Sequence, residues 1–176
     1  MAKKGTEPTI IETERPIYAL GAGADTSDKG IYKDAATLGE RFAKARREHP
    51  FEAIRPRLFV APTSGYDRAA GTYHYAMGDA VASLDGAPEG LERITLPSGT
   101  YAAFVVRPIL GFLWGPAIGR TYGYIYGTWL PRSAWRHDPR VAGDGRRIEH
   151  FEYHDERASR KRNPEMEIRV PIAPRD

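Results

Sequence analysis

Three features of the 176-residue sequence predict an α+β fold made of two pseudo-repeated βαββ units that form an antiparallel sheet with two main helices. The order strand, helix, strand, strand occurs twice, on either side of the loop "DGAPEG" (85–90). Strand segments alternate apolar and polar residues, whereas the helical segments place apolar residues about 3.6 apart. Each half also closes with a hairpin. The letters of the halves barely match, so it is the element order that implies a duplication. The expected organisation is a leader over 1–7 and one domain over 8–176, with repeat one near 8–88 and repeat two near 91–173.

In repeat one, "TIIETERPIYALGAG" reads as a strand bent near Pro16 and ending in a glycine-rich turn. "SDKGIYKDAATLGERFAKAR" reads as a helix with Ile31, Leu38 and Phe42 on one side and basic residues in its last turn, where the helix dipole favours them. "RLFVAP" is a short strand, "TSGYDRAAG" a turn, and "TYHYAMGDAVASL" the returning arm of the hairpin. In repeat two, "LERITLPSGTYAAFVV" supplies strand around a Pro-Ser-Gly turn. A helix enters at Pro116 and closes before Pro131. "RRIEHFEYHD" and "EMEIRVPIA" pair as a hairpin with Met166, Ile168, Val170 and Ile172 pointing inward.

Composition excludes several classes. A content of 41% hydrophobic and 28% charged residues is that of an ordinary globular domain. The absence of cysteine rules out disulfides and thiolate chemistry. Arg107, Pro108, Pro116 and Arg120 interrupt the most apolar stretch, 101–130, so no membrane span is expected. With no apolar signal segment at the N-terminus, a cytoplasmic location is expected. The net charge of +3 is concentrated around "RASRKR" (157–162), which reads as a solvated hairpin loop rather than a nucleic-acid contact. The five histidines have no zinc-site spacing, and no nucleotide-binding loop or nucleophile elbow is present; no metal and no cofactor are expected.

One acid and many aromatics remain. Read as a strand, 146–157 puts Ile148, His150, Glu152 and His154 on one face and Glu149, Phe151, Tyr153 and Asp155 on the other. Glu152 is then either the wet side of a half-exposed strand or the floor of a pocket, and the residues alone leave both readings open. Tyr122, Tyr126, Trp129 and Trp135 lie near it in sequence. A carboxylate among aromatic faces is the physical recipe for a lipophilic cation site. On an ideal helix Ile118, Tyr122, Ile125, Tyr126 and Trp129 share one arc, edged by Gly119, Gly123 and Gly127. Those glycines imply either close approach of another backbone or room for a flat ligand.

The segments "LPSGTYAAFVV", "YIYGTWLPRSAW", "FEYHDER" and "PEMEIRVPI" together resemble the GyrI-like small-molecule-binding domain, also called the AraC-type effector-binding domain. The resemblance covers most of 91–173 and extends more loosely to "PTIIETERPIYALG" and "GTYHYAMGDAV". It implies a ligand cleft between the halves and a stand-alone effector-binding protein for hydrophobic, cationic or aromatic compounds, linked to transcription regulation, with a DNA-binding partner in trans, or to drug sequestration. No membrane and no direct nucleic-acid contact are expected. The family's pocket acid corresponds to Glu152, with Tyr126 and Trp129 on the matching helix end, although Trp129 reads more readily as core. The expected ligand-binding set is Glu152, Tyr126, Tyr122, Trp129, Tyr75 and Trp135. Two alternatives stand beside this reading. One is a hydrolase of reactive cyclopropane-type compounds, with Glu152 as general base and Tyr126 polarising the leaving group. The other is a protein-interaction module of the gyrase-inhibitor kind. Arg169 stands where an apolar residue is usual, and its direction decides whether Glu152 is neutralised.

Overall fold

The computed structural model describes residues 7–176. Of the leader expected over 1–7, only Glu7 falls within the described residues. Repeat one comprises β2 (Ile17–Ser27), α1 (Ile31–Glu48), β3 (Phe59–Asp67) and β4 (Thr72–Val81). Repeat two comprises β6 (Gly99–Val106), α2 (Trp114–Tyr124), β9 (Arg147–His154) and β10 (Met166–Pro174). Two short strands precede them, β1 (Thr9–Thr13) and β5 (Glu92–Leu96), and two more, β7 (Trp135–His137) and β8 (Arg140–Val141), lie between α2 and β9. The predicted α+β architecture with two βαββ units is therefore the one observed.

The sheet order is β1-β6-β10-β9-β3-β4-β2-β5, and β9 against β3 is the seam between the halves. The lead-in segments differ from the sequence reading. Residues 9–27 are not one bent strand: β1 pairs with β6 of the other repeat, and β2 pairs with β4. Likewise β5 crosses to pair with β2 of repeat one. Proline supplies no ladder donor, and its ring restricts the residue before it, so Pro16 and Pro97 end one strand and redirect the chain. Each half is thus latched by an edge strand from the other. The strand β3 also runs through Gly65 to Asp67, beyond the expected "RLFVAP", because a register shift between Ser64 and Asp67 lets it continue pairing with β4.

Two apolar clusters cover the helix-bearing face. Leu38 and Phe42 of α1 pack on Ala22, Ala61 and Met77. Ala117 of α2 and the residues beyond it pack on Phe104, Met166, Ile168, Val170 and Ile172. The opposite face carries a third cluster around Tyr101, Ile148 and Phe151.

Helix α2 opens into a π-helical turn, Ile125–Trp129, before a final turn α3, Leu130–Arg132. Pro131 sits inside that last turn, which ends at Arg132, two positions beyond a stop before the proline. The wider i→i+5 turn inserts about one residue, which rotates the downstream side chains by roughly 100°. Trp129 therefore leaves the arc it would share with Tyr122 and packs edge-on against Phe104, ring centroids 5.1 Å apart.

Candidate functional site: a cleft between the two helices

A row across the sheet runs Phe104, Ile168, Glu152, Ala61. Its first two members lie under α2 and its last under α1. Glu152 thus sits between two apolar clusters, where the helices part. The next row runs His150, Thr63, Tyr75, Ala24. Above these rows is a cavity of 740 Å³. Its floor comes from Thr63, Tyr73, Tyr75, Glu149, His150 and Glu152. One wall is Asp28, Ile31, Tyr32 and Ala35; the other is Gly115, Ile118, Gly119, Tyr122 and Tyr126. Tyr66, Arg68 and His137 complete the lining.

Glu152 is 8% exposed. Tyr75 donates its hydroxyl to Oε2 at 2.8 Å, and His154 Nε2 lies 3.2 Å from Oε1. No lysine or arginine among the described residues pairs with this carboxylate. Arg169 is opposite Phe151 in the sheet register, one residue out of step with Glu152, so it faces away from the cavity. There it stacks on Tyr153, 3.4 Å from the ring centroid, and donates to Glu167 at 2.8 Å. The question raised by the unusual Arg169 is settled by strand alternation.

A bulge corrects the expected faces of β9. His150 pairs with Thr63 but Ile148 pairs with Ser64, leaving Glu149 as the extra residue. Ile148 consequently joins Phe151 in the core of the opposite face, and Glu149 turns to line the cavity with His150 and Glu152.

The walls are polar but largely uncharged. Burial, and secondarily the Glu152 carboxylate, raises the Tyr75 and Tyr122 hydroxyls well above the ordinary phenol range. Burial pushes Tyr73 up to about 12. Burial drives His150 down to about 3, with His137 adding to the effect, so its ring is neutral near pH 7. Its Nδ1 shares a 2.7 Å hydrogen bond with the Tyr126 hydroxyl, and its ring lies 4.4 Å from that of Tyr122. Burial also raises Glu149, partly opposed by His137. Among the described residues the lining carries three carboxyl side chains, Asp28, Glu149 and Glu152, and one guanidinium, Arg68.

The structure brings Glu152, Tyr75, Tyr122 and Tyr126 together. It leaves Trp129 and Trp135 elsewhere: both pack in the core beneath α2, and both line a separate groove. The indole of Trp129 donates to Glu7 at 3.1 Å. The glycines of α2 meet no neighbouring backbone. Gly115 and Gly119 lie beneath Tyr32 of α1, where a Cβ at Gly115 would stand 3.0 Å from the ring, while Gly123 and Gly127 face open space. Tyr32 therefore crosses from α1 to α2 over the cleft. Tyr73 is absent from the expected ligand-binding set, and His150, though expected on the face of Glu152, is absent from it too; period-two spacing from Tyr75 and Glu152 points to both. Tyr32 and His137 depend on helix and strand docking that no local pattern encodes.

The model of the Cass2 family, integron-associated effector binding protein, matches residues 14–172. The chain belongs to this effector-binding family. No curated protein matches the sequence. Among solved structures, the Vibrio cholerae integron cassette protein VCH_CASS2 superposes with TM-score 0.59 at 11% identity, covering 96% of this chain and 97% of that one. The C-terminal domain of EcmrR gives 0.66 at 10% identity, covering 99% and 100%. SAV2435 bound to tetraphenylphosphonium gives 0.62 at 12% identity, covering 96% and 94%. These likenesses place the chain in the GyrI-like fold, and no helix among the described residues is long and apolar enough to cross a membrane.

Proposed function

We propose that this effector-binding protein takes a lipophilic aromatic cation into the cleft between α1 and α2, with Glu152 as its counter-charge. The observation that carries the reading is a buried carboxylate, lining a 740 Å³ cavity, that no lysine or arginine among the described residues neutralises. An isolated buried charge is costly, so a ligand that brings the opposite charge gains the attraction with part of the desolvation cost already met by folding. Tyr73, Tyr75, Tyr122 and Tyr126 offer ring faces for cation–π contact, and the high hydroxyl values of all four keep them from adding negative charge. The volume suits a ligand of drug size. The fold neighbour SAV2435, bound to tetraphenylphosphonium, supports the same ligand class.

The test is fluorescence quenching or calorimetry with tetraphenylphosphonium and the neutral triphenylphosphine oxide, on the wild type and on Glu152→Gln. The cation is expected to bind the wild type and to lose at least about tenfold in affinity in the variant. The neutral compound is expected to be unaffected. Equal losses for both, or no binding of the cation, would remove Glu152 from the role.

A further inference from the structure

Two exposed loops leave the same end of the sheet, and neither belongs to the cavity. Val106 pairs with Met166, so the segment after β6 and the segment before β10 emerge side by side. Arg107 and Glu165 tie their bases together at 2.9 Å. Ile109 from the first loop and Ala158 from the second pack on the same apolar cluster.

The first loop is a short turn stapled at its base by reciprocal backbone bonds between Ile109 and Leu113, at 3.1 and 2.9 Å. Its tip presents Leu110 at 79% exposure and Phe112 at 68%, with Leu113 at 36%. Leu110 is held at φ 55°, a left-handed conformation that is uncommon for a non-glycine residue. Single exposed apolar side chains need no explanation, but three within four residues on an ordered turn do. The second loop carries Arg160, Lys161 and Arg162 in succession, all exposed and none in an ion pair among the described residues. An apolar tip beside an unpaired basic run is the two-part recipe for a surface that docks on an anionic bilayer.

We infer that this end of the molecule is a peripheral docking surface for an anionic lipid bilayer, with Leu110 and Phe112 entering the headgroup region and Arg160, Lys161 and Arg162 engaging lipid charge. This differs from the sequence reading, which gave the basic loop to solvent and expected no membrane contact. A second copy of this chain fits less well, since a twofold pairing about the tip would bring two basic loops together. A nucleic acid would use the basic run but leave the apolar tip without a partner. The inference is independent of what the cavity holds.

The experiment is co-sedimentation of the full chain with vesicles of phosphatidylcholine alone or with about one third phosphatidylserine. Binding to the anionic vesicles only, falling as salt is raised, is expected. The combined Arg160→Gln, Lys161→Gln and Arg162→Gln variant is expected to lower the partition coefficient on the order of 100-fold. Leu110→Ser with Phe112→Ser is expected to lower it roughly tenfold or more, with the melting temperature of both variants unchanged. No retention, or equal retention on neutral vesicles, overturns the proposal, as does an apolar-tip variant that sediments like the wild type. Tighter retention on duplex DNA at matched salt, indifferent to the tip variant, gives the basic loop to nucleic acid and also overturns it. So does a dimer in light scattering that disappears with Phe112→Ser.

Discussion

Asp79 and Glu152 are both carboxylates on the helix-bearing face of the sheet, and both are buried, at 0% and 8% exposure. Their surroundings are opposite. Asp79 lies under the end of α1, where Arg57 Nε reaches Oδ1 at 2.7 Å and Arg46 engages Oδ2. Glu152 lies where α1 and α2 part, with a phenol and an imidazole for company. A buried acid whose charge is met inside the chain belongs to the fold; one whose charge is left open beside a cavity belongs to a site. Across the sheet, Glu167 repeats the first pattern, held at 2.7 Å by Arg157 and 2.8 Å by Arg169.

The largest effect that tests this contrast is on stability. Asp79→Ala removes the shared partner of two arginines and is expected to cost about 3 kcal/mol, read as a lowered urea midpoint at unchanged slope. Glu152→Gln should do the reverse. It is expected to leave stability within about 1 kcal/mol of the wild type, because the amide still accepts from Tyr75 and a buried charge has gone. Its effect falls on the cation, at about 1.4 kcal/mol or more of binding free energy. If Glu152→Gln destabilises as much as Asp79→Ala, the two acids play the same part and the contrast fails.

A smaller effect sharpens the same point. Tyr75→Phe deletes the hydroxyl that donates to Glu152 and leaves the carboxylate less satisfied. Folding is expected to weaken by about 1 kcal/mol. The cation should bind no more weakly, because the carboxylate that attracts it has lost a competing donor. Calorimetric titration beside thermal melts separates these outcomes.

Much of this architecture is legible in the sequence alone. The period-two pattern of "EMEIRVPIA" marks Met166, Ile168, Val170 and Ile172, all fully buried. Aromatic neighbours single out Glu152, and Tyr75 comes from its place on a strand. What escapes are departures from regular periodicity and contacts between distant elements. The one-residue bulge at Glu149 exchanges the faces of Ile148 and Glu149, and strict alternation cannot foresee that exchange. The π turn after Tyr124 takes Trp129 out of the cleft, although an ideal helix would keep it there. The crossing of β1 and β5 into the opposite repeats is a choice of partner, and a segment's own pattern is the same whichever edge it joins. Tyr32 reaches Gly115 and Gly119, more than 80 positions away in the chain, only through the packing of two helices.

The two faces of the sheet also differ in how they respond to pH, through one histidine on each. His74, on the face away from the helices, lies 2.6 Å from Glu92 and 2.9 Å from Asp25. Its pKa is raised above 6.5, first by the hydrogen bond to Glu92, against an opposing cost of burial. Its contribution to stability is therefore complete below pH 6.5 and is lost as pH rises through the raised folded value. His150, in the cavity, is lowered to about 3 by burial. The unfolded chain binds that proton first, so stability present above pH 6.5 is lost progressively as pH falls toward 3. Between pH 5 and pH 8 the two act in opposite directions. His74→Gln is expected to remove stability at pH 5 and little at pH 8. His150→Gln is expected to lessen the loss on acidification and to change little at pH 8. Urea midpoints at the two pH values for both variants test the assignment. If His150→Gln leaves the acid limb unchanged, the cleft admits enough water to solvate an imidazolium, and the dry floor on which an unneutralised Glu152 would attract a cation most strongly is absent.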